Sequence, residues 1–282
     1  MKRYRLSILL LCIFPILMHA QKAGEHIRRP TPQNNQKPQR RGKTANIQQK
    51  TYNKVFYVNG VSLTMIYVEG GTFQMGATIE QEDDAVDDEK PVHSVTLSSY
   101  YIGQTEVTQA LWKAVMGNNP SHFKGDKLPV EQVSWDDCQK FINKLYEMTG
   151  EEFRLSTEAE WEYAARGGNK SLGYKYSGSN NIDDVAWYWD NSGEKTHEVA
   201  TKKPNELGIY DMSGNVWEWC QDWKDDYSSI SQTNPTGAST GSYRVVRGDG
   251  WLSNYRGIAR SSCRGGSIPT LRDDDLGLRL AL

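Results

Sequence analysis

Two runs of alternating apolar and polar residues near position 60 are separated by an Asn-Gly pair. Alternation with a period of two predicts strands, and Asn-Gly between two such runs is a strong signal for a tight hairpin. The segment 55–68 is therefore predicted to form a β-hairpin that turns at Asn59-Gly60. "HSVTL" (93–97) is predicted to form a further strand, and the acidic run before it is predicted to be a solvated loop.

Three helical patterns follow between residues 106 and 168. "EVTQALWKAVMG" repeats apolar residues at helical spacing. A second helix is predicted to begin at Ser134, with Asp137 three residues on, and to stop at Gly150. In the third, Thr157 and Glu160 have the spacing of a capping box, and a Gly-Gly pair ends the pattern.

Beyond residue 168 the chain is rich in Gly, Asn, Ser and Asp with isolated aromatic residues, and no helical pattern recurs. Nine Trp and fifteen Tyr indicate a packed interior, whereas 25 Gly and a mean hydropathy of −0.69 favour a loop-rich fold. The sequence shows no internal repeat. We predict a single α+β domain over residues 51–282 with little regular secondary structure.

The first twenty residues differ from the rest. Lys2, Arg3 and Arg5 precede a short apolar run, and small residues follow it. This order is typical of a secretory signal peptide (1–20), and the run is too short to span a bilayer comfortably. The sequence therefore predicts export to the periplasm, the outer membrane or the extracellular space, with no transmembrane segment in the mature chain.

Residues 21–50 contain eight Lys and Arg residues against one Glu, with three prolines and few apolar side chains. Such a composition cannot bury a core, so we predict a basic disordered linker. It is either a solvated tether or an arm that contacts an anionic polymer or an acidic partner. Nucleic acid is not expected as a partner of an exported protein.

Three cysteines remain beyond the signal peptide: Cys138, Cys220 and Cys263. An odd number leaves at least one thiol unpaired or bonded elsewhere, and their pairing stays open. The sequence has no CxxC or HExxH motif, so a zinc site is not expected.

The stretch "YDMSGNVWEWCQDW" (210–223) combines three tryptophans with carboxylates. In an extended segment Trp217 and Trp219 share one face, which favours a place in the core, and Glu218 faces the other way. A carboxylate between core tryptophans must be paired or bound to a metal. Together with Asp211 and the carbonyls of the intervening turn, Glu218 has the oxygen ligands that Ca²⁺ prefers.

Several motifs resemble the formylglycine-generating enzyme (sulfatase-modifying factor) family. They are "VEGGTFQMGA", "EKPVHSVTLSSYYIGQTEVT", "LPVEQVSWDDC", "FRLSTEAEWEYAARGG", "GIYDMSGNVWEWCQDW", "RVVRGDGW" and "LGLRLAL", in the family's order over about residues 55–282. The resemblance implies a single α+β domain related to C-type lectins and stabilised by calcium. It also implies that Asp211 and Glu218 supply side-chain oxygens to Ca²⁺, and Gly214 and Val216 carbonyl oxygens.

Active members of that family oxidise a sulfatase cysteine with O₂ and Cu(I), which selects thiolates. They carry two cysteines after an "RGGS-aromatic" motif, and the resemblance places Ser253 and Ile258 at those positions, after the aromatic Trp251. Gly250 replaces the serine of the motif. Copper is therefore not expected, and Cys263 is interpreted as a buried, unpaired remnant.

In the family the region after Trp251 lines the substrate cleft. Here the arginines of this region either satisfy carbonyls in a salt-bridged loop or form a polar groove for a peptide or sugar. The groove would involve Trp251, Ser253, Tyr255, Arg256 and Arg260.

These patterns favour an exported, calcium-stabilised, non-oxidase module that binds or assembles a protein, peptide or glycan of the cell envelope. One alternative is a formylglycine-generating oxidase with rearranged ligands. Another is a purely structural envelope component docked by its basic leader.

Overall fold

The computed structural model describes residues 52–282, so the predicted signal peptide (1–20) and basic linker (21–50) lie outside the described residues. Three sheets form the framework of the described part. The five-stranded sheet has the order β1 (Lys54–Val58), β2 (Val61–Val68), β5 (Tyr100–Gly103), β12 (Leu280–Ala281), β6 (Arg154–Leu155). The four-stranded sheet has the order β10 (Arg264–Ser267), β9 (Arg244–Arg247), β7 (Trp217–Trp223), β11 (Leu276–Leu278). The three-stranded sheet has the order β3 (Gly71–Met75), β4 (His93–Leu97), β8 (Gln232–Thr233).

The predicted hairpin is confirmed. Strands β1 and β2 pair antiparallel, and Val58 lies opposite Val61. The two turn residues have φ angles of 47° (Asn59) and 83° (Gly60). Asn and Gly tolerate these left-handed conformations, which match the twist of the flanking strands.

The three predicted helices are confirmed, and two shorter ones were not predicted. The five α-helices of residues 52–282 are α1 (Gln109–Met116), α2 (Trp135–Thr149), α3 (Glu158–Ala165), α4 (Ile182–Val185) and α5 (Trp189–Ser192). Ser134 accepts a hydrogen bond from the backbone N–H of Asp137, and the left-handed Gly150 ends α2. Helices α4 and α5 have four residues each, too few to show helical periodicity in the sequence.

Helix α3 is buried on every side, and each of its three glutamates is paired with at least one arginine. The pairs are Glu158 with Arg264 and Arg247, Glu160 with Arg154, and Glu162 with Arg166 and Arg247. Pairing with hydrogen bonds is what permits buried carboxylates. Helix α3 therefore contributes a carboxylate to several ion pairs in the interior of the domain.

The acidic run before β4 is not a solvated loop throughout, so that prediction is wrong for its buried members. It forms two 3₁₀ turns, Ile79–Asp84 and Asp87–Glu89. Glu89 is fully buried and accepts hydrogen bonds from the guanidinium of Arg260, the closer at 2.5 Å. The ion pair of Glu89 with Arg260 therefore holds the acidic segment against the C-terminal part of the chain.

Strand β7 contributes side chains to two separate apolar clusters of the core. Trp217 and Trp219 pack in one apolar cluster, and Cys220 packs in another with Trp161, as the alternation along the strand predicted. The Nε1 of Trp219 donates to the carbonyl of Val133. Strand β12 lies between β5 and β6 inside the five-stranded sheet. Among residues 52–282 no helix has the length and apolarity needed to cross a bilayer.

Candidate functional site

The loop before β7 has an irregular backbone that buries polar side chains. Asp211, Gly214 and Asn215 have positive φ angles of 58°, 82° and 67°. A side chain at Gly214 would collide with the backbone of Trp187, so only glycine fits there. Asp211, Gly214 and Val216, three of the four predicted calcium ligands, are all buried in this loop.

Two buried carboxylates in this region have an oxygen that accepts no hydrogen bond from the described residues. Asp211 accepts from the N–H of Ala200 through Oδ2 at 2.7 Å, and its Oδ1 has no donor. Glu106 accepts from Asn215 through Oε2 at 3.1 Å, and its Oε1 has no donor. Burial raises the pKa of Asp211 to about 6. Burial and then the charge of Asp211 raise the pKa of Glu106 well above its usual range.

The fourth predicted ligand, Glu218, is held by other side chains in this structure. Its carboxylate accepts from the guanidinium of Arg279, the closest contact being 2.6 Å, and from the Nε1 of Trp161 at 2.7 Å. Arg279 is the one basic side chain in ion-pair contact with these carboxylates in the described part of the chain. The interior at this place thus holds three carboxylates, those of Glu106, Asp211 and Glu218, against the single guanidinium of Arg279.

These residues fit a hard divalent cation. Buried oxygens without donors are costly, and Ca²⁺ prefers carboxylate and carbonyl oxygens. Within residues 52–282, no three His, Cys, Asp or Glu side chains are already gathered closely enough to hold a metal by themselves. Backbone carbonyls or water would therefore have to complete the coordination. Glu106 is a candidate ligand that the sequence analysis missed.

The positions assigned to copper hold no sulfur. Ser253 and Ile258 are both partly exposed. The three cysteines of the described region, Cys138, Cys220 and Cys263, are buried and unpaired. Burial raises the pKa of all three thiols, and thiolates are the form that binds Cu(I). The residues present therefore do not fit copper.

The predicted ligand cleft is divided by the structure into buried and exposed members. Trp251 is only 3% exposed; its Nε1 donates to the carbonyl of Asp274, and its ring packs edge-on against Phe123. Its indole therefore cannot stack on a ligand in this arrangement. Arg260 is also buried, where it binds Glu89 and the carbonyls of Gly257 and of Asp84. For Arg260 the interpretation as a salt-bridged loop residue holds.

Tyr255 and Arg256 remain at the surface, beside a residue that the sequence analysis did not single out. Tyr255 is 38% exposed and Trp189 is 43% exposed. The N–H of Trp189 donates to the carbonyl of Ser253 at 3.1 Å, which joins α5 to the loop. Arg256 and Asp190 form a solvent-exposed ion pair, in which Nη2 of Arg256 lies 2.9 Å from Oδ2 of Asp190. We call Trp189, Asp190, Tyr255 and Arg256 the aromatic rim.

A cavity of about 550 Å³ lies elsewhere, between β3–β4 and the segment after β7. Its walls include His93, Glu158, Asp222, Tyr227 and Arg264. Asp222 accepts from the backbone N–H of Glu158 at 3.0 Å, and burial, then the charge of Glu158, raises its pKa to about 7. No spacing in the sequence connects these residues, which come from four separate segments.

The model of the sulfatase-modifying factor enzyme 1-like domain matches residues 58–282. The chain belongs to the sulfatase-modifying factor family. The match confirms the predicted family and the α+β domain with few helices. The matched residues include every strand from β2 onwards, the loop before β7 and the aromatic rim.

Proteins whose names indicate different functions resemble the chain. It is 38% identical to the chaperone protein LppX of Paenibacillus barcinonensis, over 69% of this chain and 80% of that one. It is 30% identical to the formylglycine-generating enzyme of Streptomyces coelicolor, over 77% and 88%. Variable protein 1 of Treponema denticola superposes with a TM-score of 0.75 at 37% identity, covering 82% of this chain and 98% of that one. Membership alone therefore does not assign the oxidase activity.

Proposed function

We propose that this sulfatase-modifying factor domain is an exported, calcium-stabilised module without oxidase activity, which binds an extended segment of another protein of the cell envelope. The observation that carries the proposal is the chemistry at the copper positions. A hydroxyl (Ser253) and a branched hydrocarbon (Ile258) stand where the family's oxidases need two thiolates.

Other thiols of the described region offer no substitute. Cys138 packs in the core cluster on one side of β7, and Cys220 packs in the cluster on the other side. Cys263 is buried next to the Arg260 and Glu89 pair, whose carboxylate raises the pKa of its thiol further. Linear coordination of Cu(I) needs two converging thiolates, and these residues supply none.

The aromatic rim supports a binding role. Exposed Trp, Tyr and Arg side chains are the types that dominate the energetics of protein interfaces. Trp189 and Tyr255 offer aromatic faces, and the exposed ion pair of Arg256 with Asp190 offers hydrogen-bonding groups of both signs. An extended peptide could contact all of these groups. The LppX relative is named as a chaperone, which is consistent with a protein as the ligand.

Calcium has a structural role in this proposal. Asp211 and Glu106 would bind the cation with their unpartnered oxygens, and carbonyls of the Gly214–Val216 turn would add to the coordination. Bound calcium would neutralise the buried negative charge and fix the loop that leads into β7. Glu218 would either keep only its hydrogen bonds with Arg279 or bind the cation as well.

The test of the missing activity uses the purified protein, Cu(I), O₂ and a peptide with the sulfatase motif Cys-x-Pro-x-Arg. We expect no conversion of the peptide cysteine to formylglycine by mass spectrometry. An active family oxidase serves as the positive control. Conversion above the level of free copper would refute the proposal.

The test of binding uses fluorescence anisotropy with a labelled, permanently unfolded protein, made by reduction and carboxymethylation. Trp189→Ala combined with Tyr255→Ala should weaken binding roughly tenfold or more, because each such anchor typically contributes over 1 kcal/mol. Tyr57→Ala is the matched control, since Tyr57 is also an exposed aromatic residue, on the distant strand β1. Equal effects of the rim and control variants would exclude the rim as the binding surface.

A further inference from the structure

Two buried carboxylates flank the peptide of Gly250, at the base of the loop that carries Trp251. Asp249 is completely buried, and its Oδ1 accepts from the N–H of Gly250 at 2.8 Å. Asp275 lies against the same glycine, because a Cβ built on Gly250 would be 3.0 Å from its Oδ2. The two carboxylates therefore approach one another across a single residue.

Each of these carboxylates has an oxygen without a hydrogen-bond donor in the described part of the chain. The atoms are Oδ2 of Asp249 and Oδ1 of Asp275. No basic side chain of residues 52–282 forms an ion pair with either residue. Burying a charged oxygen without a partner costs several kcal/mol, as a general rule. This arrangement differs from α3, where every glutamate has an arginine.

The backbone at this position is also unusual. Asp249 has a φ angle of 71°, a region that favours glycine. The family motif written "RGGS" has glycine at this position, so the chain places a charged residue where a side chain adds strain. Backbone strain of this kind tends to occur at functional sites. The carboxylate of Asp249 therefore needs a compensating interaction.

A third oxygen is available on the same loop. The hydroxyl of Ser253, four residues after Asp249, has only a long hydrogen bond within the described part of the chain, which it donates to the carbonyl of Tyr255 at 3.5 Å. Ser253 is partly exposed, so water can reach the pair from this side. Two carboxylates, a hydroxyl and water are ligands for hard cations, and Mg²⁺ in particular is usually held by one or two carboxylates and several waters.

We propose that Asp249, Asp275 and Ser253 form a binding site for a hard divalent cation, Ca²⁺ or Mg²⁺, at the place where oxidases of the family hold copper. Of the two residues at the cysteine positions, Ser253 supplies an oxygen, and Asp249 and Asp275 supply the carboxylates. The cation neutralises the two carboxylates and braces the loop that carries Trp251, Tyr255 and Arg256. This site uses other carboxylates than the one at Asp211, although the two loops are in contact: the N–H of Gly214 donates to the carbonyl of Gly248 at 2.7 Å.

The experiment counts bound cations by native mass spectrometry and isothermal titration calorimetry, at pH 8 with Ca²⁺, Mg²⁺ or Cu(I). Asp249→Asn combined with Asp275→Asn should remove one bound Ca²⁺ or Mg²⁺, or weaken its binding roughly 100-fold, since even changes around a metal's ligands typically cost 10–100-fold. Asp225→Asn combined with Asp226→Asn is the matched control, because it removes two exposed carboxylates. We expect no effect of this control and no tight Cu(I) binding.

Asp211→Asn separates the two calcium proposals. Two cations bound by the wild type, with one lost in the Asp211 variant and one lost in the Asp249/Asp275 variant, would support two sites, whereas a single cation lost in both variants would overturn a second site. Loss in the Asp249/Asp275 variant alone would support only the site proposed here, and loss in the Asp211 variant alone would overturn it.

A second variant, Asp249→Gly, tests the site with little risk of misfolding, because glycine suits the positive φ angle at this position. This variant should melt at or above the temperature of the wild type in EDTA and should lose the cation-induced rise in melting temperature that the site contributes. An unchanged cation-induced rise and an unchanged number of bound cations in Asp249→Gly would refute the proposal.

Discussion

Replacing Asp211 by Asn should stabilise the protein when no calcium is present. The pKa of the buried carboxyl is raised from 3.8 to about 6, mainly by burial, so ionisation is less favourable in the folded state than in the unfolded state. A group of this kind contributes stability at low pH that is lost as the pH rises from about 4 to about 6. Above that range the wild type folds with a penalty that the Asp211→Asn variant does not have.

The size of the penalty follows from the shift of the pKa. A shift of about two units corresponds to roughly 3 kcal/mol, at 1.36 kcal/mol per unit. For a domain of this size that is a rise of about 6–12 °C in melting temperature, from roughly 2–4 °C per kcal/mol. The amide oxygen of the variant can still accept the hydrogen bond from the N–H of Ala200, which limits losses from the substitution itself.

Differential scanning calorimetry in EDTA at pH 4 and pH 8 measures this effect. The two proteins should melt alike at pH 4, and Asp211→Asn should melt higher at pH 8. At 100 times its dissociation constant, calcium should then stabilise the wild type by about 2.7 kcal/mol, which removes most of the difference in stability between the two proteins. The Asp211→Asn variant should not gain this stabilisation from the site. If Asp211→Asn melted lower than the wild type in EDTA at pH 8, or gained as much from calcium, the reasoning about buried charge would be wrong.

Three further substitutions test other buried groups. Arg279→Met should cost about 3–5 kcal/mol in urea unfolding, because Glu218 loses its ionic partner, and a double variant with Glu218→Gln should recover much of the loss; additive losses would contradict this. Asp222→Asn should reduce, without abolishing, the loss of stability expected of the wild type as the pH rises from about 4 to about 7, and an unchanged pH profile of the melting temperature would exclude a contribution from this residue. Arg260→Ala should expose the segment 77–90 to limited proteolysis, since that segment is fastened through Glu89, and an unaltered cleavage pattern would contradict this role.

The elements that sequence analysis predicted depend on neighbouring residues. The Asn59-Gly60 turn, the cap at Ser134 and the cap at Thr157 each involve groups within four positions of one another. Local hydrogen bonding and backbone preference therefore determine them. Alternation along β7 likewise separated Trp217 from Glu218 correctly, because one face of a strand is fixed by its geometry.

The elements that sequence analysis missed depend on distant residues. Glu106 lies far from Asp211 along the chain, so no spacing could connect the two carboxylates. Trp251 was expected at a ligand surface, yet Phe123 and the carbonyl of Asp274 bury it. The acidic run before β4 looked solvated because its partner, Arg260, also lies far along the chain.

The site itself was predicted in part. The loop at Asp211 follows from the family resemblance, whereas the aromatic rim requires the contact between α5 and the loop after Trp251. The cavity beside Asp222 needs four segments of chain to meet, and only the folded structure brings them together.

The position of β12 affects how the protein can be made. Since Leu280 and Ala281 pair with strands formed much earlier, the five-stranded sheet stays incomplete until these two residues have emerged from the ribosome. Folding during synthesis cannot reach the final state before that point. Truncation ahead of residue 280, by a premature stop codon or by a protease, would remove a central strand and leave two sheet edges open to aggregation.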